Sequence, residues 1–307
     1  MSYTYSPGVA HSNDLDLYKR LLIAEDIDIR TIPYMDFMDA VVQQNVTDAL
    51  DVRFQFPKED TLPVYRVGEG GNTVSQNMGW FEDSTTFDKY QGKIKITEES
   101  KVRGTYSMQW EYNLDGIARG MAQAKDSEIL NTLVAKAGVT ESASAHWDAE
   151  SANVFGDVAD ALQQVFEEAR SNISSAELAN LTIYYPAKLF MHVKNKPELW
   201  ANGTSGNQGY LIPNSNQADW LGNKTGMQFR ESTKLNGETY ALGVIKSPRT
   251  AIHYEYTGND MQRVRNFEDD EGSTGYIVKS WFKTYVVPQS YTQATSDRIF
   301  RISGICD

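Results

Sequence analysis

The sequence predicts an α+β protein, with helices and strands segregated along the chain. Three observations carry that expectation. The stretches 112–137 and 153–171 each place their apolar residues on one helical face. The stretch 219–285 instead shows short β-branched and aromatic runs separated by turn residues. No strand–helix alternation and no internal repeat runs through the chain, so the sheets are expected to be largely antiparallel.

The elements follow in order. The first ten residues are polar and carry Gly and Pro, which reads as an extended arm. In "DLDLYKRLLIA" (14–24), Leu15, Tyr18, Leu21 and Leu22 fall at helical spacing behind Asn13 as cap. A second amphipathic stretch, "IPYMDFMDAVVQQN", covers 32–45, and "DVRFQF" (51–56) alternates as a half-buried strand does. Then comes "VYRVGEGGNTVSQNMGWFEDSTTF" (Val64 to Phe87), and "FDKYQGKIKITEESKVRGTYS" (87–107) resumes strand character. Two extended segments around a long polar tip predict a hairpin-like excursion. So few apolar residues build no core of their own, so the excursion reads as a projecting arm.

In the helix at 112–137, Leu114, Ile117, Ala118, Met121 and Ala124 form a stripe that Ile129, Leu133 and Val134 extend, and Gly138 reads as its stop. The helix at 153–171 aligns Phe155, Val158, Leu162, Val165, Phe166 and Ala169. "LTIYYP" (181–186) predicts a buried strand, and Pro186 suits the start of a helix over 187–200. A Gly/Asn-dense loop spans 202–217. Strands are expected near 227–230, 238–246, 250–256, 261–267 and 275–285, with "FEDDEG" (267–272) as the turn before the last, and "DRIFRISGICD" supplies a final strand.

Composition narrows the function. The 307 residues are 40% apolar and 23% charged, with a formal net charge of −12. Nucleic-acid binders neutralise phosphates with clustered Lys and Arg. The absence of such a cluster argues against direct DNA or RNA binding as the main task, though not against enclosing nucleic acid. One cysteine, Cys306, permits neither an internal disulfide nor a multi-thiolate metal site. The N-terminal residues do not read as a signal peptide, and no apolar run approaches a bilayer span. The expectation is a soluble, cytoplasmically made protein with no membrane partner.

The motifs with chemical meaning do not assemble. Gly68, Gly70 and Gly71 resemble a phosphate loop, yet Thr73 stands where the dinucleotide fingerprint needs its third glycine. "LGNKTG" (221–226) has Asn223 ahead of Lys224 and so misses the P-loop. His11, His146, His192 and His253 are scattered, and "EDDE" (268–271) lacks the alternating ligands of a calcium loop. There is no G-x-S-x-G elbow. Glu98, Glu99 and Asp115 are carboxylates without a spacing that pairs them, which leaves a carboxylate-based enzyme as a remote third reading. The sequence predicts no cofactor, no metal and no catalytic residue.

The order of elements carries more. The loop segments "VYRVGEGGNTV" and "FDKYQGKIKITEES", the helices "AKDSEILNTLVAKAG" and "FGDVADALQQVFEEAR", and the unit "LTIYYPAKLFMHVKNKPELW" follow one another. They lead into "GNQGYLIP", "LGNKTGMQFRES", "YALGVIKSPRTAIHYEY" and "GYIVKSWFKTYVVPQSY". From about residue 45 onward this resembles the major capsid proteins of tailed phages and related archaeal viruses, a fold shared with encapsulin shells.

The resemblance implies an N-terminal arm (1–30), a peripheral domain with a long spine helix (31–63, 107–150 and 251–287), an extended β-hairpin loop (64–106) and an axial domain (151–250 and 288–307). It implies a non-enzymatic structural protein that self-assembles, as hexamers and pentamers, into an icosahedral virion shell around double-stranded DNA. Scaffolding, portal and decoration proteins are the further partners it implies. The alternative is an encapsulin-type compartment around a protein cargo, with Leu15, Leu21 and Leu22 available to line a cargo groove. The extended loop would clamp a neighbouring subunit through Tyr65, Arg66, Glu69, Trp80, Phe81, Phe87 and Tyr90. No fused scaffolding segment is expected ahead of the arm. Lys89 and Lys93 lack marked Asn and Glu partners, so no cross-link is expected.

Overall fold

The structure, a computed structural model, describes residues 12–47, 50–57, 79–97, 99, 102–104, 106–168, 173, 175–194, 228–257, 263–268, 274–288 and 293–307. Among these residues, two five-stranded sheets and a separate two-stranded ribbon are arranged around one long helix.

Helix α1 (Ser12–Thr31) precedes two short 3-10 turns, Ile32–Tyr34 and Met38–Ala40, and strand β1 (Val42–Val46). From Ser12 onward the expected arm is therefore helical, and Ile23, Ala24 and Ile27 are buried. The second amphipathic stretch is not a helix. Pro33 opens a single turn, and the backbone amides of Asp36 and Phe37 turn inward to donate to the buried Asp126 at 2.9 and 3.1 Å. Lys234 pairs with the same carboxylate.

Strand β2 (Asp51–Pro57) pairs antiparallel with β3 (Trp80–Thr86), and β4 (Asp88–Ile96) follows at once. Here the sequence expectation needs correcting. The "FDKYQGKIKI" segment does not return along the arm; β4 joins the first main sheet against β11 (Thr274–Val286). Its Ile94 and Ile96 are buried against Leu114, which decides the pairing.

The long helix, α2 (Tyr106–Ala135), starts one and a half turns earlier than the apolar stripe suggests, taking in residues read as the end of a strand. It ends before Gly138, which lies inside β5 (Ala137–Ser142). A Cβ there would collide with the Ser296 carbonyl, so this glycine serves strand contact rather than a helix stop. Helix α3 (Val154–Glu168), the short α4 (Ser175–Leu178) and β6 (Leu181–Pro186) come next. The 187–200 helix shrinks to a 3-10 turn, Ala187–Leu189, and α5 (Phe190–Lys194), with 195–200 outside the described residues.

The remaining strands are β7 (Gln228–Ser232), β8 (Tyr240–Ile245), β9 (Ala251–Tyr256), β10 (Val264–Glu268), β11 and β12 (Ser296–Ser303). The first sheet runs β1-β9-β11-β10, with β4 also paired to β11; the second runs β5-β12-β8-β6-β7. Antiparallel pairs predominate, as expected, but β1–β9, β5–β12 and β6–β7 are parallel. The arm's first residues, the 202–217 loop and most of the "FEDDEG" turn lie outside the described residues.

Helix α2 spans both sheets. Leu114 packs with Ile94, Val264 and Val278 of the first, while Ile129 and Leu133 pack with Leu242, Val244 and Ile299 of the second. The other face of the second sheet buries Val154, Val158, Ala161 and Val165 of α3, which explains why every residue of β6 is buried. Gly243 lies directly beneath the Phe300 ring, where a Cβ has no room.

Candidate functional site

The sequence points to the projecting segment, and its root is the part described. A two-stranded ribbon is marginal alone. This one is fastened to the face of the first sheet opposite α2. Phe54 of β2 stacks on Tyr285 with ring centroids 4.0 Å apart and meets Tyr254 at 5.5 Å. The Tyr285 hydroxyl donates to Asp83 Oδ2 of β3 at 2.7 Å. Burial first, then that hydrogen bond and the charge of Asp83, push the Tyr285 phenol well above its ordinary range. Across the ribbon, Gln55 donates to Glu82 at 2.8 Å.

The join between β3 and β4 is fixed too. Phe87 is only 7% exposed and packs with Tyr254, Trp281 and Tyr285. Tyr90 stacks on Phe282 at 4.2 Å with an interplanar angle of 4°. Lys283 donates to Asp88 at 2.7 Å and lies 3.4 Å from Glu128 of α2. The hydrogen bond to Asp88, aided by the charge of Glu128, raises the Lys283 pKa.

The seven expected contact residues therefore separate. Tyr65, Arg66 and Glu69 lie outside the described residues. Phe87 and Tyr90 are committed to the subunit's own sheet. Phe81 is half-buried and, with Asp83, Lys136 and Tyr285, lines a cleft of about 390 Å³ between the ribbon and the C-terminal end of α2. Trp80, paired with Pro57 at the end of the ribbon, is 58% exposed. This indole, held by a strand yet left in water, is a large exposed apolar surface.

Sequence reasoning did not single out Phe54, Asp83 and Tyr285, which hold the ribbon. The alternation of "DVRFQF" marks Phe54 as inward-facing, but nothing local says what it faces. Chemically, the arrangement is one of fastening: stacked rings and an ion pair fix the root of the segment to the first sheet. Among the described residues no group of three or more His, Cys, Asp or Glu is placed to hold a metal ion.

Comparison with known proteins agrees with this geometry. Residues 82–294 match the model of a family described as phage capsid protein. Among solved structures, the virus-like particle from Pyrococcus furiosus is similar over 92% of this chain and 98% of that chain, with 9% identity and a TM-score of 0.59. The capsid of Myoviridae phage XM1 covers 87% and 90%, with 13% identity and a TM-score of 0.56. Mycobacterium phage Che8 covers 85% and 86%, with 16% identity and a TM-score of 0.53. Comparison with curated proteins gives no match. The two sheets spanned by one helix are thus a fold found in viral shells, and the family match extends over more than half of the chain. The chain belongs to the phage capsid protein family and is a structural major capsid protein.

Proposed function

We propose that this chain assembles with itself, as hexamers and pentamers, into the icosahedral shell of a tailed virus that encloses double-stranded DNA. In this reading the part of the segment 64–106 ahead of β4 clamps a neighbouring subunit. The observation that carries it is the ribbon root, fastened by Phe54, Phe87 and Tyr285 and ending in the exposed Trp80. Fastening the base of the segment to the sheet reduces the ordering that an assembly contact would otherwise have to impose there.

The first sheet and the N-terminal half of α2 correspond to the peripheral domain, and the second sheet with α3 to the axial domain. The pairing of β5 with β12 supports counting β5 with the axial domain. A net charge of −12 keeps packaged DNA from adhering to the wall. Scaffolding and portal proteins are the further partners of such a shell, with assembly in the host cytoplasm.

The test is removal of residues 60–76, which spares β2 and β3. The expected product is a soluble, folded subunit that forms no closed particles. Intact particles from this deletion refute the clamp. The contents of wild-type particles, DNA or protein, separate the viral capsid from an encapsulin-type compartment.

A further inference from the structure

One buried group has no part in fastening the arm. His253 of β9 is 1% exposed and faces α2. Its Nδ1 lies 3.0 Å from Thr284 Oγ1 in the paired strand β11, and its ring meets Phe282 at 5.6 Å. Nε2 is buried with no hydrogen-bond partner. The same Phe282 ring has Lys125 Nζ of α2 at 5.8 Å on it and Tyr90 stacked against it. The imidazole therefore shares its pocket with a buried ammonium.

Every ionised neighbour is already engaged. From α2, Lys125 donates to both oxygens of Glu255 at 2.9 Å, and Glu128 accepts from the Thr284 amide at 3.3 Å and from Lys283. From β9, Glu255 also accepts from Ser280 of β11. From β4, Asp88 accepts from Lys283, and β1 contributes the neutral Gln43 opposite His253. No carboxylate oxygen lies within hydrogen-bond reach of Nε2. A proton arriving on this ring meets a low-dielectric site, a nearby cation and no acceptor.

We propose that His253 is an acid-sensitive latch between α2 and the β9–β11 pair: the closed packing excludes the imidazolium, so mildly acidic solution favours a subunit in which α2 has moved off this end of the sheet. Burial, and then the charge of Lys125, push the His253 pKa down from 6.5 to about 3. A lowered histidine pKa contributes stability that is complete above the ordinary value and is lost as pH falls from there toward the folded value. Between pH 7.5 and 5.0 the linkage raises the opening equilibrium about 30-fold, while most ordinary carboxylates stay ionised. The latch belongs to the subunit, so its test does not depend on shell formation.

The experiment is amide hydrogen exchange of the full chain at pH 7.5 and 5.0, corrected for intrinsic rates, on wild type and His253→Gln. Opening of segments 251–256 and 282–286 should rise about 30-fold in wild type on acidification and far less in the variant. Strands β6, β8 and β12 should change little. An equal rise in both proteins overturns the latch. Should His253→Gln fail to fold, exchange of the imidazole Cε1 hydrogen in wild type decides: protonation deferred below pH 5 supports the latch, and a midpoint near 6.5 overturns it.

Discussion

Replacing Trp80 with Ala separates the arm's role in assembly from its role in the fold. The side chain is 58% exposed at the last described pair of the ribbon, and it is absent from the buried clusters that hold the sheet. Its loss should therefore leave subunit stability nearly unchanged, within about 0.5 kcal/mol. If a neighbour covers the exposed part, an indole of up to about 250 Å² has about 145 Å² left to bury, an upper bound of about 3.6 kcal/mol per contact at about 25 cal/mol per Å². That corresponds to a rise of up to a few hundred-fold in the concentration at which particles form. Thermal unfolding of the subunit, paired with light scattering across a concentration series, measures both quantities. Assembly of Trp80→Ala at the wild-type threshold would refute the contact. A fall of several degrees in Tm would show instead that the ring works inside the subunit.

Three further outcomes follow from the packing. Lys125→Ala strands the Glu255 carboxylate at the α2–sheet junction and should cost about 3 kcal/mol in urea unfolding, whereas Lys125→Met with Glu255→Met should recover most of that loss. Gly243→Ala drives a methyl into Phe300 and should cost about 2 kcal/mol, with partial rescue by Phe300→Leu in the same melt. Phe54→Ala removes the stack on Tyr285 and should lower subunit stability by about 2 kcal/mol, with enhanced proteolysis of the ribbon as the local readout.

The elements that could be read from sequence are those whose signal is local. Every residue of β6 is buried, so "LTIYYP" is an apolar run broken only by Thr182, and the α3 stripe is equally plain. What escaped is long-range. Strand character was legible in β4, but its partner was decided by Ile94 and Ile96 meeting a helix and sheet distant in sequence. Gly138 carries the same local signature whether it ends a helix or admits the Ser296 carbonyl, and only the packing of β12 distinguishes them. The contact aromatics show the same ambiguity. Phe87, Tyr90 and Trp80 look alike in a sequence, yet Phe87 is core, Tyr90 lies half-buried on Phe282 and Trp80 stands in water. Lys125 interrupts an apolar helix face, a visible sign of a buried ion pair, but nothing local names Glu255 as its counterion.

The central claim is that this chain builds a shell from copies of itself. Electron microscopy of the purified full-length protein after size-exclusion chromatography tests it most directly. Uniform hollow particles, or rings of five and six subunits, are the predicted result. A 34.6 kDa monomer that persists across salt, pH and protein concentration, and in the presence of a co-expressed scaffold, would contradict it.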